Sequence, residues 1–315
     1  MKEKKKILLT AGGTATTWHF CKIINEYYVN DFDIYITDTN DEYLVPSAIY
    51  AKKFFKVPSV YEDNYIDTMY EILEKEKIDI IVPLIDFDLF KFSKDNIKLI
   101  ELGVYTTAPL LKTIETLTNK EKMYRFMKKY NIPTPNVYSL DEVEDDKEYI
   151  IKPKTGFGSI GVYKKLGCEI KNIKNFDEII IQELCKPEEI TVEVFNDDIL
   201  KIFQRKRVAT KSGVCVKMEP VYIEQIDNSI KLLVENIECP NAFCIQFMQN
   251  EKGLWCITDC NLRIGAGTAL STKIGFQLVR ACLAHMINRE VSDDFFTIDK
   301  EVKSVLRVYE EIVIK

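Results

Sequence analysis

Apolar residues recur in two alternating patterns along the first part of the chain. Short apolar runs such as Ile7 to Leu9 and Ile78 to Val82 predict strands, and the apolar spacing within residues 65–73 predicts an amphipathic helix. A β-branched run that ends at Pro83 is typical of a buried parallel strand. Because strands and helices alternate, we expect an α/β domain built on a doubly wound parallel sheet.

A different pattern begins after residue 112. The apolar positions that follow Asn119 predict a helix, which the segment Asn131 to Pro135 ends. Thr118 and Glu121 have the spacing of a capping box, so Thr118 is the predicted N-cap of that helix.

Short apolar runs separated by turn residues follow from Tyr149 onward and predict antiparallel hairpins. The last hairpin pairs residues 242–249 with 254–263 and sets Gln249 opposite Leu254, and a final helix is predicted over residues 268–288. The fold class is therefore a doubly wound α/β domain followed by an α+β domain of two subdomains. The predicted boundaries are 1–112, 113–188 and 189–315.

Charge and composition exclude several classes of partner. The net charge is −6, and no basic run is interleaved with aromatic residues, which argues against nucleic acid. No apolar run approaches the roughly 20 residues of a membrane span, and the start of the chain does not resemble a secretory signal. The nine Cys include no CxxC pair and only two His are present, which argues against zinc and for reduced thiols in the cytoplasm. A catalytic pair of a Cys with His19 or His285 stays an alternative.

A glycine-rich segment joins two predicted strands between Lys152 and Gly161. Its candidates for phosphate binding are Lys152, Lys154, Gly156, Gly158 and Ser159, because small residues let backbone amides approach phosphate oxygens and a lysine adds a point charge. The segment is not a P-loop, since no Gly-Lys-Ser/Thr follows and the chain returns as a strand. Taken alone, the same glycines would also suit a flexible hairpin.

The late hairpin carries a second candidate site. Gln246 on one strand is expected to share a sheet face with Asp259 and Asn261 on the other. Three oxygen-bearing side chains without imidazole or thiolate suit Mg²⁺, and Arg263 follows in register to meet a phosphoryl group. The alternative is the ordinary polar outer face of a hairpin.

A third segment combines an apolar strand with acidic residues. It contains candidates for adenine and ribose contacts, namely Gln182, Glu183, Leu184, Cys185 and Glu189. Taken alone, the segment is better explained as a charged loop after a buried strand. Arg205 and Arg207, on a later strand, are candidates for gripping a substrate carboxylate or phosphate, and a purely structural role for both is the alternative.

The order of these segments resembles the ATP-grasp superfamily, most closely the branch of the carbamoyl-phosphate-synthase large chain and small carboxylate–amine ligases. The resemblance extends over nearly the whole chain. Its pieces are Ile7 to Gly13, Tyr65 to Asp67, Ile78 to Pro83, Thr118 to Lys120, Ile150 to Pro153, Gln182 to Val194 and Ile257 to Arg263. The family usually has Glu in place of Asp259, which shortens the carboxylate here by one methylene.

The resemblance implies a role for each candidate. Lys120 and Lys152 would contact ATP phosphates, Glu183 and the backbone around Cys185 would face adenine, and Glu189 would take the ribose. Gln246, Asp259 and Asn261 would hold two Mg²⁺ ions, with Mn²⁺ as a substitute, and Arg263 would contact the γ-phosphoryl group. The first domain would be the pre-ATP-grasp domain, and the subdomain after residue 188 would carry the metal site.

The implied activity is an ATP-dependent ligase that joins a carboxylate to an amine through an acyl phosphate, with Lys152, Arg263 and Arg207 as catalytic residues. Free ammonia or an amino acid is the simpler acceptor, and a homodimer is one state the resemblance allows. Three alternatives remain at this point: a phosphotransferase, a non-catalytic nucleotide-binding module, and a nicotinamide oxidoreductase suggested by the first domain.

Overall fold

The computed structural model describes residues 3–156, 160–173 and 176–314. Within these ranges the strands form three sheets, of five, six and four strands. In the same ranges no helix combines the length and the apolar character needed to cross a bilayer.

The first sheet is entirely parallel and is covered by helices on both faces. Its strands are β1 (Lys5–Leu9), β2 (Phe32–Asp38), β3 (Lys53–Lys56), β4 (Ile80–Val82) and β5 (Tyr105–Thr106). The helices are α1 (Ala15–Tyr27), α2 (Tyr65–Glu76), α3 (Asp86–Lys94) and α4 (Asn96–Glu101). The strand order is β3-β2-β1-β4-β5 with parallel pairing throughout, which confirms the doubly wound prediction.

Alternate side chains of the parallel strands enter two separate cores. Ile7 and Leu9 of β1 lie with α1 in one core, and Leu8 lies with α2 and α4 in the other. The first core continues into the C-terminal part of the chain, where Leu278 and Cys282 pack with Phe20 of α1. Apolar packing therefore joins the N-terminal domain to the rest of the protein.

Two helices and a four-stranded antiparallel sheet follow. They are α5 (Leu111–Thr118), α6 (Lys120–Lys129), β6 (Val137–Tyr138), β7 (Glu148–Pro153), β8 (Tyr163–Leu166), α7 (Gly167–Ile170) and β9 (Ile179–Glu183), with the sheet order β6-β9-β7-β8. The boundaries proposed from the sequence stay predictions, and the one at 112/113 falls inside α5.

The predicted cap of α6 was wrong by one residue. Asn119 is the N-cap, and its side-chain oxygen accepts hydrogen bonds from the amides of Glu121 and Lys122 at 3.1 and 3.0 Å. Thr118 instead ends α5, where its hydroxyl donates to Ile114 O at 2.8 Å. Thr and Asn are both good N-cap residues, but Thr118 is the last residue of the preceding helix, so Asn119 caps α6.

The last sheet has six antiparallel strands. They are β10 (Glu189–Asn196), β11 (Leu200–Lys211), β12 (Val214–Val221), β13 (Ala242–Gln249), β14 (Trp255–Asn261) and β15 (Val305–Leu306), in the order β14-β13-β10-β11-β12-β15. Helix α8 (Glu224–Asn236) shares a core with one face of this sheet, in which Val192, Ile245 and Phe247 are fully buried.

The hairpin of β13 and β14 has a different register from the predicted one. Gln249 lies opposite Trp255, not Leu254, and a β-bulge at Thr258 shifts the pairing so that Gln246 faces Asp259. Without the bulge, Gln246 would pair with Thr258, and Asp259 would turn toward the core face. The expected juxtaposition of Gln246 with Asp259 is thus present, for a reason the sequence pattern did not contain.

The single final helix predicted over residues 268–288 is two helices. They are α9 (Thr268–Thr272) and α10 (Leu278–Met286), and Gly275 between them has φ +105°. A Cβ at Gly275 would lie 1.8 Å from Thr297 O, so the chain passes too close to the C-terminal segment for any side chain. The break also places Phe276 in the core, which helical periodicity alone does not predict.

We therefore expect Gly275→Ala to destabilise the protein much more than Gly103→Ala. Both glycines have positive φ, but a Cβ at Gly103 meets nothing within 4 Å. Gly103→Ala should lower the free energy of unfolding by about 1 kcal/mol through backbone strain alone, and Gly275→Ala by roughly 3 kcal/mol or more. Urea denaturation measures both, and equal losses would contradict the close approach at Gly275.

Candidate active site

One face of the six-stranded sheet carries polar side chains in register across four strands. The direct cross-strand partners form two adjacent rows, which are Arg205–Thr191–Gln246–Asp259 and Phe203–Glu193–Cys244–Asn261. Residues directly opposite each other and two apart along a strand share a face. Gln246, Asp259 and Asn261 therefore lie side by side, and all three are partly exposed.

Two lysines from the four-stranded part approach this row. Lys120, the first residue of α6, places Nζ 3.8 Å from Asp259 Oδ1 and 3.2 Å from Gly156 O. Lys152 of β7 donates from Nζ to Thr258 O at 3.4 Å, a carbonyl at the bulge of β14. Gly156, the two lysines and Asp259 thus border one cleft between the four-stranded and six-stranded sheets.

Positive charge exceeds negative charge at this cleft. Lys120 and Lys152 are 9% and 6% exposed, and Asp259 is the carboxylate they share. Burial and the neighbouring Lys120 lower the pKa of Lys152 to about 8, although Asp259 opposes the shift. Two buried ammonium groups beside one carboxylate favour the binding of an anion that carries several charges.

An ion pair and a backbone hydrogen bond hold the described part of the glycine-rich segment against α6. Lys154 forms an ion pair with Glu121 at 2.8 Å, which holds the pKa of Glu121 below its usual value, and Lys154 O accepts from the Lys120 amide at 2.7 Å. Gly156 has φ +153°, in the range that glycine tolerates. Gly158 and Ser159, also predicted to bind phosphate, lie outside the described residues.

The predicted adenine segment lies where the two sheets meet. The carboxylate of Glu183 accepts hydrogen bonds from Asn136 N and Nδ2 and from Glu251 N, at 3.1, 3.1 and 2.9 Å. It therefore joins the end of β9 to the turn of the β13–β14 hairpin. Gln182 is buried, and Leu184 and Cys185 are partly exposed beside it. Roles of this segment in adenine binding stay predictions.

Glu189 of β10 and Arg207 of β11 contact each other on neighbouring strands of the six-stranded sheet. Arg207 donates from Nη1 to Glu189 Oε1 at 2.5 Å and from Nη2 to Gly213 O at 2.6 Å. The sequence assigned Glu189 to a ribose and Arg207 to a substrate group. Each is the partner of the other in this structure, and both assignments stay predictions.

Arg205 is part of a buried network next to the metal candidates. Its Nε donates to Glu193 Oε1 at 2.8 Å, and the other oxygen of Glu193 accepts from the Ser271 hydroxyl. A Cβ at Gly267 would lie 2.0 Å from Arg205 Nη2, so glycine is needed where the chain enters α9. Arg205 is 3% exposed, which favours the structural alternative for this residue. Sequence reasoning missed Glu193, because a buried glutamate on a strand has no distinguishing motif.

Arg263 reaches the N-terminal domain. Its Nη2 donates to Asp86 Oδ2, on the first residue of α3, at 2.8 Å, and the side chains are 20% and 29% exposed. Asp86 was not predicted as a site residue. The two residues are 177 positions apart, and no local pattern around Asp86 signals such a partner.

Cys21, Cys244, Cys282 and His19 do not resemble parts of a nucleophilic pair. Burial raises the pKa of the three thiols to about 12. Burial lowers the pKa of His19 to about 3, and its Nε2 lies 3.1 Å from the Thr272 hydroxyl. A thiol needs a lowered pKa to act as a nucleophile, so these three cysteines do not suit that role. The partner of His285 is a carboxylate, since its Nδ1 lies 2.6 Å from Asp197 Oδ2.

The three oxygen-bearing side chains suit a magnesium ion that takes most of its ligands from water and from a bound phosphate group. Asp259 supplies a carboxylate and Gln246 and Asn261 supply amide oxygens, all from one sheet face. In the described ranges no group of three His, Cys, Asp or Glu side chains can hold a metal ion alone. Mg²⁺ commonly keeps water and substrate phosphate ligands beside one or two protein carboxylates, so this sparse set is sufficient.

Family models match both parts of the chain. A model described as PylC-like, N-terminal domain matches residues 7–107, and a model described as ATP-grasp domain matches residues 117–267. The carbamoyl phosphate synthase large chain of Clostridium acetobutylicum is 20% identical over 94% of this chain. This chain spans 30% of the length of that relative.

Solved structures share the fold at low sequence identity. N5-carboxyaminoimidazole synthetase from Staphylococcus aureus has a TM-score of 0.74 at 11% identity, covering 93% of this chain and 80% of that one. The biotin carboxylase domain of Hydrogenobacter thermophilus 2-oxoglutarate carboxylase, solved with MgADP, ADP and bicarbonate, has a TM-score of 0.73 at 16% identity, covering 93% and 72%. The two family matches identify an ATP-grasp domain over residues 117–267 that follows a PylC-like N-terminal domain over residues 7–107, and the solved structures share this fold.

Proposed function

We propose that this protein is an ATP-dependent ligase that activates a carboxylate as an acyl phosphate and joins it to an amine. The convergence of buried Lys120 and Lys152 on Asp259 carries the proposal, because this excess of positive charge suits a triphosphate. A module that bound adenine alone would not need such an array. The ATP-grasp domain and the ligases among its relatives support the same activity.

ATP would occupy the cleft between the four-stranded and six-stranded sheets. The proposed phosphate contacts are Lys120, Lys152, Lys154, Gly156, Gly158 and Ser159; the proposed adenine and ribose contacts are Gln182, Glu183, Leu184, Cys185 and Glu189. Gln246, Asp259 and Asn261 would hold two Mg²⁺ ions, or Mn²⁺ in their place. The metal would supply charge neutralisation at the phosphate oxygens.

The chemistry follows from the need for a leaving group. A carboxylate oxygen attacks the γ-phosphorus, the bond to the bridging oxygen breaks, and ADP leaves with that electron pair. Lys152 and Arg263 offset the charge of the transferring group. The amine nitrogen then attacks the acyl carbon and loses a proton, and phosphate leaves with the electrons of the broken C–O bond. Arg207 is proposed to grip a substrate oxygen after leaving Glu189.

The proposed partners are ATP, a small carboxylate and an amino acid, a peptide or ammonia, without nucleic acid or membrane. The proposed compartment is the cytoplasm, where the nine free thiols would stay reduced. A homodimer is the proposed assembly, by analogy with the dimeric biotin carboxylase domain.

A phosphate-release screen of carboxylate and amine pairs with ATP and Mg²⁺ tests the ligase activity. Phosphate release that requires both partners supports a ligase. Transfer of the γ-phosphoryl group to one substrate, without free phosphate and without any need for an amine, would instead establish a phosphotransferase.

We expect Lys152→Ala and Asp259→Ala each to lower phosphate release at least 100-fold while the protein stays folded. Lys152→Ala removes a positive charge that faces the triphosphate, and Asp259→Ala removes the carboxylate that would hold Mg²⁺ at the phosphate oxygens. Lys171→Ala and Asp145→Ala are matched controls, since this ion pair lies on the surface of the same domain with side chains 44% and 70% exposed. Near wild-type rates for both site variants, with unfolding temperatures unchanged, would refute the assignment.

The pKa of Lys152 predicts how nucleotide affinity depends on pH. Lys152 is protonated below pH 8, and only this form attracts phosphate, so the dissociation constant of MgATP should begin to rise above pH 8, by up to about tenfold per unit. Lys152→Arg keeps its charge throughout this range and should remove that dependence. Calorimetric titrations at pH 7, 8 and 9 measure it, and equal slopes for both proteins would exclude Lys152 as the titrating group.

A further inference from the structure

Arg263 and Asp86 connect the six-stranded sheet with the N-terminal domain. Arg263 follows the metal candidates along the chain, and its neighbours Leu262 and Ile264 are 1% and 4% exposed in two different cores. Its backbone is therefore held firmly, while its guanidinium extends to Asp86. This ion pair links the domain that carries the proposed triphosphate site to the N-terminal domain.

Asp86 lies at the edge of the parallel sheet where ligands usually bind. It follows β4, and β1 and β4 are neighbours at the centre of the order β3-β2-β1-β4-β5. The chain leaves β1 toward β2 on one side, whereas it leaves β4 toward β5 on the other. In doubly wound sheets, ligands commonly bind at such a switch point, outside the carboxyl ends of the strands.

Two other carboxylates near this edge are already engaged by their own domain. Asp38 accepts from Gly13 N at 2.7 Å and from Asn40 Nδ2 at 2.8 Å. Asp88 is 2% exposed, accepts from the Tyr65 hydroxyl at 2.6 Å, and has its pKa raised by burial to about 6. Among Asp38, Asp86 and Asp88, Asp86 is the carboxylate that is partly exposed and that contacts Arg263 outside the N-terminal domain.

The guanidinium of Arg263 is incompletely satisfied in this position. Among the described residues, no group accepts a hydrogen bond from its Nε, although that atom is buried. Asp86 is the stronger and Asp259 the weaker of the two carboxylates that act on the charge of Arg263. A competing cation at Asp86 would therefore free Arg263 to turn toward the proposed triphosphate.

We propose that Asp86 binds the ammonium form of the acceptor's amino group, which takes the place of the Arg263 guanidinium, and accepts the proton that this group loses before its nitrogen attacks the acyl carbon. A primary ammonium group matches this site, because it is compact and donates up to three hydrogen bonds. The displaced Arg263 then turns to the phosphoryl group, so that the presence of the amine favours phosphoryl transfer. This inference rests on the proposed ligase function and names the group that recognises the amine.

Kinetics of Asp86→Asn and Asp86→Glu test the inference, with an amine that supports phosphate release in the screen. We expect Asp86→Asn to raise the KM for the amine at least tenfold and the KM for ATP less than twofold. Asp86→Glu keeps the charge and should restore most of the amine affinity. A residue that only stabilised the fold would not separate the two KM values.

Asp31→Asn is the matched control. Asp31 also pairs across the domains, with Arg289 Nη1 at 2.9 Å, but it lies outside the cleft. We expect this variant to keep both KM values within twofold of wild type. An unchanged amine KM in Asp86→Asn, or an equal rise in Asp31→Asn, would overturn the inference.

Hydrolysis of ATP without any amine separates this inference from the proposed function. Asp86→Asn releases Arg263 and should raise this background rate at least threefold, whereas Asp86→Glu should not. If no pair of substrates gives phosphate release, the ligase proposal fails. The background rates of the wild type and Asp86→Asn then still decide whether Asp86 restrains Arg263, and equal rates would overturn that role.

Discussion

The structure depends on two buried ammonium groups that share one carboxylate. Lys120 and Lys152 come from a helix and a strand of one subdomain, and Asp259 comes from a sheet of the other. Burying lysine is unfavourable unless opposite charge is nearby, and the lowered pKa of Lys152 is the direct result. A polyanion between the two sheets would offset this imbalance, so the contact suits the nucleotide site proposed above.

A single β-bulge supplies two parts of that site. Thr258 is the extra residue of β14, and it turns Asp259 to the face that Gln246 and Asn261 occupy. Its carbonyl also accepts the hydrogen bond from Lys152. Bulges commonly lie next to active sites because one inserted residue re-aims the side chains that follow it. Here the bulge places a carboxylate and anchors a lysine at once.

The N-terminal domain contributes to the cleft as well as to stability. Apolar packing of α1 against α10 attaches the N-terminal domain to the part of the chain that carries the six-stranded sheet. The ion pair of Arg263 with Asp86 is a second, polar contact between the two parts. Arg263 thereby connects the sheet that carries Asp259 and Asn261 with the carboxyl end of β4 in the N-terminal domain. Under the proposals made above, a substrate on one domain and a nucleotide on the other would compete for this arginine.

Local patterns were sufficient to predict the classes of most elements, the doubly wound first sheet and the shared face of Gln246, Asp259 and Asn261. Alternation of apolar residues decides which face of a strand is buried, and that rule needs only neighbouring positions. Three features required the tertiary structure: the bulge at Thr258, the break at Gly275 and the partnership of Arg263 with Asp86. Each arises from contact between segments distant along the chain, where close approach or opposite charge decides the outcome and local periodicity carries no signal.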